Sequence, residues 1–508
     1  MAFGYRPVDR DQLFLLSPDM RQWLPERHFV WFLLAVVEQL DVSAFEEGRR
    51  LGSVGREGYD PRMLLALLIY AYAMGQRSSR RIEDLCVTDV AFRVICAQDA
   101  PDHSTICRFR KENREGLAAV FVQVLELAGE AGLGRVGVVA IDGTRMAANA
   151  SYGANRRRSW LQDQVDQMMA EAERVDAEED ALFDSDNLSR VAEDWCDPAT
   201  REERIRVALA RAKQAADQAV ATAERKVAFR RARMAVSEEQ VARQRAAAAE
   251  GSQDYQRRRA EAEAQGGPKP PGRPPSQEAR ATRRALARLD HDQARLAKAE
   301  AAAAQVRAGV DPVANLTDPD SGWMPTGKGW IQGYNTQLAV SDDQIILAVH
   351  VTTATVDVAQ FEPMMAAAVK AAETLNHGRA RVGSAPETVG LLLADAGYCS
   401  LHNLTVPGPD RLIGTGKRER LEAATRTAAG AETGGLTHPI HAMAARLATP
   451  EGIAAYRRRG VTVEPVNAQL KDRHRLRQFS CRGKKAAQAE AELAAATANL
   501  LKIWRCRS

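Results

Sequence analysis

Residues 136–151 read VGVVAIDGTRMAANAS, a short continuous apolar run, rich in β-branched residues, that ends on Asp142. That composition is the pattern of a strand buried in a sheet rather than of a helix. GLLLADAGYCS, residues 390–400, repeats it, with an apolar run over 389–394 that ends on Asp395. An Asp where a buried strand ends points a carboxylate at the rim of the sheet. A third acid, Glu464, stands in YRRRGVTVEPVNAQLK, residues 456–471, directly before Pro465. Proline is tolerated in a first helical turn, so Glu464 is expected to open a basic helix. Lys471 follows seven residues later, about two turns at 3.6 residues each, and so shares the Glu464 face. Two rim carboxylates and a third from a packed helix make an oxygen-rich pocket suited to Mg²⁺ or Mn²⁺, and metal-assisted phosphodiester chemistry is its natural use. Each acid alone has a plainer reading: Asp142-Gly143 as a turn pair, Asp395 as a strand-end turn, Glu464 as a first-turn acid at a helix dipole.

Working outward, residues 1–130 read as helical, with apolar residues at helical spacing in 26–45, 61–74 and 114–131. Within them, 90–95, a turn at 98–102 and 104–113 suggest a helix, a turn and a second helix. That second helix is expected to carry Ser104, Thr105, Arg108, Arg110 and Lys111 on polar faces able to enter a major groove, or else to be half of an ordinary helical hairpin. The sheet begins at Val136, breaks off near Asn155 and resumes near Trp330. Between lies a segment rich in Ala, Glu, Arg and Gln, expected as long charged helices. Its Pro-rich interruption at 266–276 is either a spacer or, through Arg273, a minor-groove hook. GWIQGYNTQLAVS and QIILAVHVTT then read as two strands around Asp342 and Asp343, followed by a helix over 358–375, strands over 389–394 and 411–414, and terminal helices.

With 508 residues and 45% hydrophobic composition the chain can build two or three domains with real cores. Its longest apolar runs fall short of the roughly 20 residues that cross a bilayer, and MAFGYRPVDRDQ lacks the apolar core of a signal peptide. Seven cysteines without a C-x-x-C pair argue against structural zinc and suggest reduced, cytoplasmic thiols. The net charge of +4 does not announce a nucleic-acid partner, but its distribution does more. Basic residues crowd around Glu464 (Arg457, Arg458, Arg459, Lys471, Arg473, Arg475) and in the middle of the chain, where an Arg-rich, GC-rich coding composition explains them equally well.

Several blocks, in order, resemble the bacterial insertion-sequence transposases of the DDE type. They are PRMLLALLIYAYAMGQRSSRRIEDLC, DHSTICRFRKEN, IDGTRMAANAS, GYNTQLAV, LLADAGY, and Tyr456, Arg459, Glu464 and Lys471 followed by FSCRGKK. The chain departs from the family pattern where Asn467 and Ala468 replace an aromatic residue and a glycine. The resemblance implies an α/β RNase H-like catalytic core interrupted by a long helical insertion and preceded by an all-α DNA-binding domain. The expected bounds are 1–130 for the DNA-binding domain, 131–154 and 321–508 for the two parts of the core, and 155–320 for the insertion. It implies Asp142, Asp395 and Glu464 as catalytic acids and ligands of two Mg²⁺ or Mn²⁺ ions, Asp142 bridging. It places Tyr456, Arg459 and Lys471 on the DNA backbone beside Arg108, Arg110 and Lys111 of the end-binding region. Asn149, Tyr334, Asn335 and Gln337 match positions near the acids and either orient ligands or satisfy backbone groups. The implied activity is binding of terminal inverted repeats, end cleavage and transfer of the 3′ hydroxyl to target DNA, by a homodimer pairing two ends, with no membrane role. Two rivals use the same residues: a nuclease that cuts without joining, and a transposase-derived DNA-binding protein that no longer cuts.

Overall fold

The computed structural model describes residues 19–46, 58–182, 201–272, 280–309, 311–327, 329–416 and 439–507. Two compact units divide the chain, one made of residues 1–152 and 320–508, the other of 153–319.

The first unit opens with helices α1 (Phe29–Gln39), α2 (Pro61–Ala73), α3 (Ser79–Thr88), α4 (Val90–Ile95), α5 (His103–Glu112) and α6 (Arg114–Glu130). Their starts follow from their caps. Asp60 accepts from Arg62 N with Pro61 in the first turn of α2, and Asp102 accepts from Thr105 N at the start of α5. The helix expected over 26–45 is shorter, because Leu40 turns extended and only a 3-10 turn, Ser43–Phe45, follows. Buried Leu64–Ala73 side chains of α2 are apolar on nearly every face, as suits a helix surrounded by protein.

The sheet contains β1 (Val138–Ala147), then β4 (Gly322–Thr326), β5 (Gly329–Ser341), β6 (Ile346–Thr352), β7 (Leu391–Ala394) and β8 (Asp410–Ile413). Its order is β4-β5-β1-β7-β8, with β6 beside β4 on the same flank of β5. β1, β7 and β8 run parallel, while β5 is antiparallel to β1, β4 and β6. The last helices are α10 (Phe361–Arg381), α11 (Leu401–Thr405), α12 (Pro439–Ala448), α13 (Pro450–Asp472) and α14 (Lys484–Arg507). α10 and α6 touch backbone to backbone: a Cβ at Gly378 would lie 1.9 Å from the Glu126 carbonyl oxygen, and one at Gly129 would lie 2.1 Å from that of Leu375. α14 is buried along most of its length and shares one hydrophobic core with the sheet and the helices that precede it.

Two expectations change here. The strand containing Asp142 does not stop at it: β1 continues to Ala147, because residues 142–147 pair with Leu338 through Gly333 on the longer β5. Glu464 does not open a helix. α13 begins at Pro450, capped by Thr449, and runs through Pro465. Proline at that internal position removes one backbone donor without ending the helix.

The second unit holds β2 (Asn155–Arg157) paired antiparallel with β3 (Val313–Asn315), and the helices α7 (Arg158–Leu182), α8 (Arg201–Ala264) and α9 (Arg280–Gly309). At 64 residues, α8 is about 96 Å long at 1.5 Å per residue. α9 lies antiparallel along it, as Glu224–Arg307 (2.9 Å), Arg231–Glu300 (2.9 Å) and a buried Ser237–Asp292 hydrogen bond (2.8 Å) record. At the base, Leu161, Ile205, Ala208, Leu209 and Ala314 form a small separate core. Arg273 lies outside the described residues.

Candidate active site

The site is built by strand register. β1 and β7 pair in parallel up to Ile141 against Ala394, so the next residues on each strand are Asp142 and Asp395. Parallel neighbours are about 4.8 Å apart, which sets two carboxylates side by side at the same height in the sheet. Asp395 also caps a one-turn 3-10 helix, accepting from Gly397 N at 2.8 Å. Asp142 Oδ1 accepts from Gly143 N at 3.0 Å.

Packing of α13 across this point supplies the rest. Arg459 Nη1 stands 3.7 Å from Asp142 Oδ2 and its Nη2 3.5 Å from Glu464 Oε1, so one guanidinium lies between the two acids. Asn467 Nδ2 donates to Asp142 Oδ2 at 3.2 Å, while its Oδ1 is buried without a partner. Asn467 is the position where the chain departs from the family pattern, and the departure puts an amide on the first acid.

A fourth acid, which the sequence reading did not single out, completes the cluster. Asp357 Oδ1 accepts from Asn335 Nδ2 (2.7 Å) and Gln337 Nε2 (2.8 Å), and its Oδ2 lies 3.6 Å from Arg145 Nη1. Gln337 in turn accepts a hydrogen bond from the hydroxyl of Tyr398, three residues after Asp395. This chain of contacts ties the loop bearing Asp395 to β5. Gly143 makes room for it: a Cβ there would meet Gln337 Nε2 at 2.5 Å and Asp357 Oδ1 at 2.7 Å. Asp357 lies in the loop TTATVDVAQ, five residues past the end of β6 rather than directly after an apolar run, so no pattern in the sequence marked it.

The electrostatics follow the crowding. Burial first, then the charges of Asp395 and Asp357, push the Asp142 carboxyl up to about 6, against the opposing pull of Arg459 and the Gly143 N–H. The Tyr398 hydroxyl is raised by burial and by the same carboxylates. Lys471 is lowered by desolvation and by Arg477, while Asp142 acts in its favour. Glu464 is the outlying member, 63% exposed at its side chain. Among the described residues, no three of His, Cys, Asp and Glu converge closely enough to hold a metal ion.

Other expected site residues fall elsewhere. Arg110 does not face solvent. It is 8% exposed, and its guanidinium donates to the Arg77 carbonyl (2.9 Å), Ser79 Oγ (3.0 Å) and Tyr72 Oη (3.3 Å). Glu490, itself buried, joins that network through Arg77, Tyr72 and Ser480. At about 100° per residue Arg108, Arg110 and Lys111 point to different sides of α5, and Arg110 is on the core side with Ile106 and Phe109. Arg108 and Lys111 remain exposed. His103 pairs with Glu83 and leaves the capping of α5 to Asp102. The Tyr456 hydroxyl donates to the Ala394 carbonyl at 3.3 Å, bracing the end of β7 rather than lying open to a ligand. Asn149 satisfies the Ser480 carbonyl at 2.7 Å, and Tyr334 is fully buried against Phe479. Asn335 and Gln337 serve Asp357, as above.

Comparison with known proteins agrees with the two ends of this architecture. A family described as a transposase domain (DUF772) matches residues 18–112, and one described as a transposase DDE domain matches residues 424–504. The second match contains Tyr456, Arg459, Glu464 and Lys471, whereas Asp142 and Asp395 lie outside both. No curated protein and no solved structure matches the chain. A transposase domain ahead of the sheet and a DDE domain on the helices that cover it together support an insertion-sequence transposase of the DDE type.

Proposed function

We propose that this transposase binds the terminal inverted repeats of its own element, cleaves the DNA at the ends and transfers the released 3′ hydroxyl to target DNA. The observation that carries the reading is the β1–β7 register that sets Asp142 beside Asp395. The strand order, three antiparallel strands followed by two parallel to the first, supports an RNase H-like core, with residues 155–320 as an insertion in an antiparallel connection. Such a connection needs no crossover and accepts inserted chain at low cost.

Asp142, Asp395 and Glu464 are the proposed catalytic acids. DDE domains generally use divalent metals, and the acids here offer only oxygen donors, the type a hard cation takes: Asp142 and Asp395 would hold it, with the outlying Glu464 closing on them. When bound, Mg²⁺ or Mn²⁺ would activate the attacking oxygen and stabilise the leaving one. The chain's own residues prepare for this. Asp357, through Gln337 and Tyr398, holds the Asp395 loop against β5. Arg459 neutralises Asp142 and Glu464 in the DNA-free protein, and a DNA phosphate competing for its guanidinium frees both carboxylates. Lys471, half-buried on the same helix as Glu464 and seven residues on, supplies a cation for the scissile phosphate. Arg108 and Lys111 on α5 are the proposed end-binding cations of the N-terminal region.

The test uses purified full-length protein, a DNA duplex bearing the inverted repeats found around the coding region, and a plasmid target. Joined products with a target duplication support transposition. Cut ends that never join would leave the nuclease reading standing, and binding without cutting would leave only a DNA-binding protein.

A further inference from the structure

The second unit carries a surface that the site chemistry does not use. On α9, Arg280, Arg284, Arg288, His291, Arg295 and Lys298 are all exposed. They follow one another at four, four, three, four and three residues, the spacing that keeps side chains on one face of a helix. At about 100° per residue they occupy a stripe roughly 80° wide, set apart from the seam where Thr282, Ala285, Asp292, Leu296 and Ala303 are buried.

The acids of α9 avoid that stripe. Asp292 is buried on Ser237, Glu300 is held by Arg231, and Asp290 projects roughly 80° beyond the stripe's edge at the same 100° per residue. On α8, in contrast, cations are matched along the helix by acids, as Arg243 with Glu239 and Arg257 and Arg258 with Asp254. Both helices are rich in Ala and Arg; what distinguishes α9 is that five cations and an imidazole line one face with no acid among them. Among the described residues, none of the five cations makes an ion pair.

We propose that the outer face of α9 is a docking surface for the sugar-phosphate backbone of double-stranded DNA. The stripe extends over about 27 Å at 1.5 Å per residue. That length matches roughly eight base pairs at 3.4 Å each. Five cations spaced along one helix face suit the regularly repeating phosphates of a duplex, contacts that position a protein on DNA without carrying sequence information. This rests on DNA being the protein's partner and adds a contact separate from the acids.

The experiment replaces Arg284→Gln, Arg295→Gln and Lys298→Gln together in the full chain, since Gln keeps helix propensity close to that of Arg and Lys. Affinity for a random-sequence duplex is followed by fluorescence anisotropy across a salt series. Each lost phosphate contact removes about 0.9 from the slope of log affinity against log salt, so the triple variant should lose roughly 2 to 3 units and about a hundredfold in affinity near 0.15 M salt. The pair Arg284→Lys and Arg295→Lys should keep the wild-type slope, which separates loss of charge from loss of fold. A matched triple on α8, Arg243→Gln, Arg257→Gln and Arg258→Gln, should leave the slope nearly unchanged because those cations are already paired. An unchanged slope in the stripe variant, or an equal loss in the α8 control, overturns the proposal. If end cleavage persists while the slope is unchanged, the stripe alone fails; if the slope falls but no DNA is cut, the transposition reading alone fails.

Discussion

Replacing Asp142 by Asn should make the metal-free protein more stable, not less. The folded protein holds this carboxyl at about 6 where an unperturbed Asp has 3.8, with burial as the largest cause. A rise of about 2 pKa units corresponds to ~3 kcal/mol of differential free energy. At 18% side-chain exposure, Asp142 loses little of this to solvent screening. Below about pH 4 the group is protonated in both folded and unfolded chains and contributes nothing. Between about 4 and 6 the unfolded chain releases the proton first, so the native state binds more protons and its stability falls as pH rises. Above about 6 both states are ionised and the full cost of ~3 kcal/mol persists. Asn keeps the shape and the Gly143 contact without that cost. Parallel denaturation of wild type and Asp142→Asn without divalent metal, at pH 4 and pH 8, should give curves that nearly coincide at pH 4 and a clear advantage for Asn at pH 8. Saturating Mg²⁺ should raise the wild-type midpoint and close the gap, because a ligand that binds only the folded state stabilises it. An Asn variant no more stable than wild type at pH 8, or a difference that does not change with pH, would refute the idea that Asp142 sits in a pocket of crowded negative charge.

Further outcomes follow from the same contacts. Arg110→Ala should lower stability by about 3 kcal/mol, the cost of breaking a buried charged network, and a salt series should show no loss of DNA slope in the folded variant. Asp357→Asn should weaken the clamp on the Asp395 loop: amide hydrogen exchange around Tyr398 should quicken, with cleavage reduced, and unchanged exchange would remove Asp357 from that role. Gly143→Ala should destabilise the protein and impair cleavage, since its methyl would stand 2.5 Å from Gln337 Nε2; full activity would mean that β1 and β5 separate more easily there than their register implies.

Much of the site's scaffold was legible because it is written in apolar runs. The strands before Asp142 and Asp395 are continuous hydrophobic stretches that suit a buried sheet, GYNTQLAV was legible as a block of the family resemblance, and β1 stands between the other two, β7 and β5. What escaped was set by tertiary contact. Pro465 suggested a helix start, but α13 was already about four turns under way, carried by Thr449 and Pro450. Arg110 looked like its exposed neighbours Arg108 and Lys111, and only the packing of α2, α5 and the segment around Ser480 turns it inward. Asp357 gave no signal because loop acids are common; its meaning comes from Asn335 and Gln337, which approach from a strand some 20 residues away. Asn467 was visible as a departure from the family pattern, yet its contact with Asp142 could be read only from the crossing of α13 over β1.

The most direct test of the account is end cleavage by the single variants Asp142→Asn, Asp395→Asn and Glu464→Gln, measured with DNA binding on the same inverted-repeat duplex in Mg²⁺. Each change preserves shape and removes one negative charge. The account predicts that all three lose cleavage while binding stays within about twofold, because none of the acids is a DNA contact. Wild-type cleavage by any one of them would strike that residue from the site, and retention by Asp142→Asn or Asp395→Asn would contradict the claim that the paired strand ends of β1 and β7 form the cutting site.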